Sequence, residues 1–257
     1  MTVTIVLSLI LLALMFLVGG IKGIGAFIAL WLNFAILVVM IFAISFGFNA
    51  TWVLVLGGGT VLLITILSTG ASEQVTANAL IIALTIMVLL TILIFPLEHL
   101  AMAQGFAEQN SEELEGLSLG ISVSFVTIGV VAALLATLGA IAEAAVAIAT
   151  AIEEIRESQP NMPFKKFMMA SNRVGQQIVG TAVNTVLFGF MADFLSLAIW
   201  FAKLNYNFAA IINSKLFSSA MLSMLYAILG VVLVLPLMLA LYRWQDYRKA
   251  HSERLNK

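Results

Sequence analysis

The sequence contains no cysteine and little charge of either sign. The absence of cysteine excludes disulfides, thiolate catalysis and cysteine-based metal sites. Charged residues make up 10% of the chain, against about 25% in soluble domains, while hydrophobic residues make up 62%. The 12 basic and 13 acidic residues nearly cancel, which argues against a surface that binds nucleic acid. This composition predicts an integral membrane protein in contact with the lipid bilayer.

The chain also lacks the short motifs of the common enzyme classes. It has no phosphate-binding Walker loop, no glycine fingerprint of a dinucleotide site and no nucleophile elbow. Its two histidines, His99 and His251, are far apart in the sequence and do not form a zinc-binding pattern. We therefore expect no enzymatic activity, no cofactor and no metal.

Apolar segments of membrane-spanning length recur along the chain. A transmembrane helix needs about 20 mainly apolar residues. Such segments lie at residues 2–19, 25–46, 51–69, 76–98, 118–155, 174–201 and 217–242. The first lacks the basic region and cleavage site of a signal peptide, so we expect it to be retained. The predicted fold is all-α, a polytopic transmembrane helix bundle of about seven spans over residues 1–242, followed by a basic cytoplasmic tail at 243–257.

The segment 118–155 is long enough to cross the membrane once or twice. A single long helix fits, and so does a re-entrant turn at Gly139. Lysine and arginine favour the cytoplasmic side of a membrane protein. With one crossing here and an outside N-terminus, only Lys203 and Lys215 lie outside, whereas two crossings would add Lys22. We therefore expect seven spans, with the N-terminus outside and the C-terminus in the cytoplasm.

Glu143 is the clearest acidic residue at membrane depth. It precedes Glu153, where the helix is expected to leave the membrane, by about 15 Å along the helix axis. A carboxylate near the bilayer centre costs about 2.5–3.5 kcal/mol, so such a group is normally kept inside the bundle and paired, or held protonated. We expect Glu143 to be buried and shielded by amides of a neighbouring span. Helical spacing also places it on one side of the helix with Thr150, Glu154 and Glu157.

The following span carries a second polar cluster. Spacings of four and three residues align Gln177, Thr181 and Asn184 on one face, which makes Asn184 a candidate partner of Glu143. The predicted proton or cation relay comprises Glu143, Asn184, Thr185 and Asp193, and its predicted polar or close-packing neighbours are Gln177, Thr181, Gly139, Gly175 and Gly180. The alternative is an interhelical hydrogen-bonded pair that only holds the bundle together.

Small residues recur on both of these spans. Helices associate in lipid through the close approach of such residues. They are Ala140, Ala144, Ala147 and Ala151 on the first span and Gly175, Gly180, Thr181 and Ala182 on the second. We expect the two helices to touch each other.

Glu98 and His99 form a weaker candidate site at the outer end of the fourth predicted span, just after Pro96. An interfacial carboxylate and imidazole could sense pH or bind a cation. The simpler interpretation is the solvated end of a helix.

Two stretches of the chain resemble a known family. LGAIAEAAVAIATAIEEI, from Leu138 to Ile155, and SNRVGQQIVGTAVNTV, from Ser171 to Val186, are similar to the paired signature of the bacterial YibE/F family of polytopic membrane proteins. The resemblance implies a short member without the extracytoplasmic domain of longer relatives, located in the bacterial cell membrane. It also implies that the chain assembles with a longer YibE/F-like membrane protein. The alternative is a homo-oligomer.

The chain departs from the family pattern at identifiable positions. The aspartate of the first signature falls on Glu143, which keeps a carboxylate. The Gly-Arg-Asp of the second falls on Gly175-Gln176-Gln177, where both charges are absent, while its Asn-Thr is retained at Asn184 and Thr185. The order of these features is also similar to the proton-carrying half of SecD and RND-type exporters.

The resemblance and the intramembrane carboxyl lead to two hypotheses. The first is a permease or transporter subunit, proton-coupled through Glu143, whose substrate the sequence does not identify. The second is a non-transporting membrane scaffold that assembles with a longer relative.

Overall fold

A computed structural model describes residues 2–101, 103 and 125–255. Over these ranges the chain forms helices and no strands. The helices are α1 (Thr2–Ser45), α2 (Ala50–Ser68), α3 (Glu73–Ala101), α4 (Phe125–Ser158), α5 (Phe164–Lys203), α6 (Phe208–Ile212) and α7 (Lys215–Leu255). The predicted all-α membrane fold is confirmed, since α1 to α5 and α7 are all long and apolar enough to cross a membrane.

Helix α1 is divided into two arms at Gly20. This residue has φ 57° and ψ −135°, a backbone conformation that glycine adopts without a steric penalty. A Cβ atom placed on Gly23 would overlap the backbone carbonyl of Met15, eight residues earlier. Because eight residues of straight helix advance about 12 Å, the chain must fold back on itself here. The two arms correspond to the predicted spans 2–19 and 25–46.

Helix α4 accounts for the described part of the long predicted segment 118–155 as one continuous helix. It is one helix from Phe125 to Ser158, so the re-entrant turn considered at Gly139 is wrong. Residues 118–124 lie outside the described part of the chain. With the two arms of α1 counted separately, the described helices supply the seven predicted spans.

Helix α4 is also the centre of the bundle. It packs against α2, α3, α5 and α7, whereas α1 packs mainly against α2 and α5 mainly against α4 and α7. The fully buried side chains of α4 include Leu134, Leu138, Ile141, Ala145, Ile148 and Ala149. The alanines among them let neighbouring backbones approach closely, which is how helices gain contact energy in lipid.

One end of the bundle gathers most of the basic residues. The Lys22 Nζ donates a hydrogen bond of 3.2 Å to the carbonyl oxygen of Gly70, in the turn between α2 and α3. The α4–α5 connection and the last turns of α7 lie at this same end, where Tyr242 contacts Glu153. We call it the Gly70 end. Lys203 and Lys215 lie at the opposite end, in the α5–α7 connection, which agrees with the separation of charge used for the predicted orientation.

The basic segment after residue 242 continues α7. The helix runs on to Leu255 with no break at Arg243, so these residues extend the last span along its own axis. Their contact with lipid headgroups stays a prediction.

Candidate intramembrane polar site

A groove between α4 and α5 brings the predicted polar residues of the two helices together. It has a volume of about 300 Å³ and is open to the outside of the bundle. Its lining consists of Glu143, Ala144 and Ala147 from α4 and of Gln177, Ile178, Thr181, Ala182 and Thr185 from α5. Glu143 is the one charged group among the residues that line it.

The small side chains explain why the helices meet here. Ala144 and Ala147 on α4 stand opposite Thr181 and Ala182 on α5, so the predicted helix contact is confirmed. The threonine hydroxyls bond within their own helix, with Thr181 Oγ1 donating to the Gln177 carbonyl at 3.1 Å and Thr185 Oγ1 donating to the Thr181 carbonyl at 3.2 Å. Their oxygens can still accept a hydrogen bond from a ligand or a neighbour.

The expected burial of Glu143 is wrong for the single chain. Its side chain is exposed, with no hydrogen bond or ion pair to the residues that the structure describes. The reason is rotational, since Ile141 and Ala145 occupy the buried face of α4 and residues two positions away point to the opposite side. The predicted common face is confirmed, because Thr150, Glu154 and Glu157 are exposed as well.

The other predicted relay residues divide into two groups. Thr185 lies in the groove with Glu143, but Asn184 is exposed and is not part of the groove lining. Asp193 is exposed farther along α5 and is likewise absent from that lining. The structure therefore places Gln177, rather than Asn184, as the amide beside Glu143.

The three predicted close-packing glycines serve different surfaces. Gly175 is buried against α7, where an added Cβ would overlap the side chain of Leu235. Gly139 and Gly180 are exposed, and a Cβ on either would meet no atom of another residue within 4 Å. Of the three, only Gly175 requires its small size for packing within the chain.

A buried acidic residue lies elsewhere, near the end opposite Gly70. Glu98 is only 2% exposed, and it lies beside the phenol of Tyr226 on α7. The neighbouring His99 faces outward. The simpler expectation for this pair, a solvated helix end, is therefore wrong for Glu98. The apolar four-residue spacing Ile86, Leu90, Ile94 that leads to Glu98 was the signal for its burial.

The Gly70 end contains a second polar cluster that the sequence did not predict. The guanidinium of Arg156 lies 5.3 Å from the ring centre of Phe167 and 5.2 Å from that of Tyr242. Nearby, Gln245 Nε2 donates a 2.8 Å hydrogen bond to Asn78 Oδ1. These contacts tie α4, α5, α7 and α3 together at one end of the bundle.

A larger cavity of about 880 Å³ lies among the end of α3, α5, α6 and α7. Its lining is mainly aromatic and aliphatic, including Phe194, Phe208, Phe217 and Leu222. Within the described ranges, no group of three or more His, Asp or Glu residues could hold a metal ion.

Comparison with known proteins identifies the family. The family model for YibE/F-like proteins matches residues 7–245, nearly the whole chain. No curated protein and no solved structure matches the sequence significantly. The match covers both signature stretches and all or most of every long helix described above. The chain therefore belongs to the YibE/F-like family of proteins.

Proposed function

We propose that this chain is a subunit of a membrane transporter that couples to protons through Glu143. The observation that supports the proposal is the position of this carboxyl in a groove between two apolar helices, where Gln177, Thr181 and Thr185 also line the wall. The proposed location is the bacterial cell membrane.

The groove offers partners to both protonation states of the carboxyl. The amide of Gln177 has N–H groups that can donate to an ionised carboxylate and a carbonyl that can accept from a neutral acid. The oxygens of Thr181 and Thr185 can also accept from the neutral form. A small rearrangement of α5 against α4 would change which of these partners is in reach, and would thereby link helix movement to proton binding.

The energetics favour such a link. An ionised carboxylate at membrane depth costs about 2.5–3.5 kcal/mol unless water or polar groups cover it. The neutral acid tolerates an apolar environment much better. Closing the groove would therefore favour proton binding and opening it would favour proton release, which is the elementary step of proton-coupled transport.

Proton flux into vesicles tests this function. The purified chain is reconstituted, a pH gradient is applied, and the internal pH is followed with a dye. Glu143→Gln is expected to abolish the flux while leaving the protein inserted and folded, because the amide cannot ionise. Glu143→Asp should retain part of it. Glu73→Gln is the control, since Glu73 is an exposed acid in the first turn of α3, outside the groove, and the variant should conduct as the unmodified chain does. Undiminished flux in Glu143→Gln would refute the role of this carboxyl.

A non-transporting scaffold is the second candidate. The outward direction of the polar residues on α5 favours it, since such a surface suits assembly with another membrane protein. A longer relative of the same family is one proposed partner, and a second copy is the other. In a scaffold, Glu143→Gln would change the stability of the complex, and no variant would carry a pH-driven flux.

A further inference from the structure

The outward side of α5 is unusual for a transmembrane helix. In the most apolar stretch of α5 only 6% of residues are buried, the smallest share among the candidate spans of the described chain. The exposed residues of its middle section include Gln176, Gly180 and Asn184, spaced four apart on one side of the helix. We call these three residues the α5 outer face.

Contact with lipid acyl chains is energetically unfavourable for the α5 outer face. An amide without hydrogen-bond partners in hydrocarbon costs several kcal/mol, and both Gln176 and Asn184 carry one. The first arm of α1 provides the contrast, because its exposed side chains are apolar, with Leu17 77% and Val18 90% exposed. The α1 arm suits contact with acyl chains, whereas the α5 outer face requires a protein surface with polar groups.

The chemistry of the face favours a second copy of the same chain. An amide has both donors and an acceptor, so two identical amides can bond to each other across a two-fold axis. Gly180 lies between them, and a Cβ there would meet no atom of another residue within 4 Å. A glycine at this position lets two helix backbones come close, as small residues do in membrane dimers.

The charges at the Gly70 end are also complementary between copies. Glu154 and Glu157 are exposed at the end of α4, and Lys165, Lys166 and Arg173 are exposed at the start of α5. No ion pair joins these five side chains to the residues that the structure describes. A two-fold axis along the membrane normal keeps both copies at the same depth, so the acids of one copy can face the basic residues of the other.

We propose that a second copy of this chain packs on the α5 outer face, about a two-fold axis along the membrane normal, and covers the groove that contains Glu143. The partner copy supplies polar groups near a carboxyl that a single chain leaves exposed. The effect of the second copy on proton binding by Glu143 rests on the proposed function. The interface itself is inferred from the exposed polar groups alone.

Cysteine cross-linking tests the interface directly, because the chain has no cysteine of its own. Leu187→Cys lies two helical turns after Gly180, on the side of α5 that carries the outer face, and it leaves both amides in place. This variant and the control Ile81→Cys on α3 are each purified and reconstituted in vesicles; Leu187 is 38% exposed and Ile81 49%. Mild oxidation with copper phenanthroline is expected to give a disulfide-linked dimer for Leu187→Cys and monomer for Ile81→Cys. The cross-linked fraction should stay the same when added lipid dilutes the protein in the membrane about tenfold. Cross-links that form by random collision would decrease on this dilution, whereas those of a specific dimer would not.

A second variant checks the close approach at Gly180. Adding Gly180→Leu to the Leu187→Cys chain should lower the cross-linked fraction about tenfold, because the larger side chain separates the two helices. The exposed position means that the folded monomer can accommodate it. Equal cross-linking at positions 81 and 187, or none at 187, would overturn the inference. Cross-linking of Leu187→Cys in cell membranes only to a different protein would overturn it as well.

The two proposals fail in different ways. A dimer that conducts no protons supports this interface and removes the proposed transport function. Proton flux through a chain that remains monomeric supports the function and removes the interface.

Discussion

Helices α4 and α5 run side by side, yet they relate to the rest of the molecule in opposite ways. In the most apolar stretch of each helix, 56% of residues are buried in α4 and 6% in α5. Helix α4 has protein neighbours on most sides, whereas α5 packs mainly against α4 and α7. Both carry exposed polar side chains at membrane depth, Glu143 on α4 and Gln177 and Asn184 on α5.

The exposed side chains of a membrane protein must be interpreted by their polarity, as these two helices show. Hydropathy alone does not distinguish the two helices, since both are apolar enough to cross a membrane. An exposed apolar side chain is at home in lipid, but an exposed amide at the same depth is not. Helix α5, the less buried of the two, is therefore the one whose exposed amides indicate a contact with another protein surface.

A bulky residue should have its largest effect in α4. Ala145 is fully buried, so Ala145→Phe is expected to destabilise the protein by about 1–3 kcal/mol through overpacking. Ala192 is exposed on α5, and Ala192→Phe should stay within about 0.5 kcal/mol. Thermal unfolding of both variants in detergent measures the difference. Equal melting temperatures would contradict the central position of α4.

Removing the cation between two aromatic rings should have an intermediate effect. Arg156→Ala loses contacts with Phe167 and Tyr242, which together stabilise the junction of α4, α5 and α7 by about 1–2 kcal/mol. Arg156→Lys should recover only part of this, because lysine lacks the planar guanidinium. Thermal unfolding is again the measurement, with Arg173→Ala, an exposed arginine on α5, as the control. A loss as large in the control would show that charge, and not ring contact, matters.

The smallest expected effect concerns two asparagines. Asn78→Ala removes the acceptor of the 2.8 Å bond from Gln245 and should cost about 1 kcal/mol. Asn184→Ala removes an exposed amide and should leave the stability of the monomer unchanged in detergent, although it weakens the proposed dimer. Chemical unfolding curves compare the two. A destabilised Asn184→Ala monomer would mean that this amide has a partner within its own chain.

The sequence predicted the spans and the α4–α5 contact because both depend on local patterns. Apolar length sets the spans, and the spacing of small residues predicts the contact. Helical periodicity also grouped Glu143 correctly with Thr150 and Glu154, but it does not say which way a shared face points. That direction depends on the packing of the other helices, so Glu143 was expected inside and lies outside.

The same limit applies to Glu98. Its neighbours in sequence, Pro96 and His99, are typical of a helix end near solvent. Its burial arises from Tyr226, which is far away in the chain and comes close only when α7 packs against α3. No local pattern contains that information.

The hydrogen bond from Lys22 to Gly70 has a practical consequence for mapping the protein in cells. It fixes the bend of α1 and the α2–α3 turn at one end of the bundle, where the α4–α5 connection also lies. A reporter fused after the last residue would show on which side of the membrane the Gly70 end lies, and so would an accessible tag inserted at the turn between α2 and α3. Because successive connections alternate between the two sides, either result fixes the side of all the others. Two such fusions must report the same compartment, so disagreement between them would reveal a chain threaded differently from the one described.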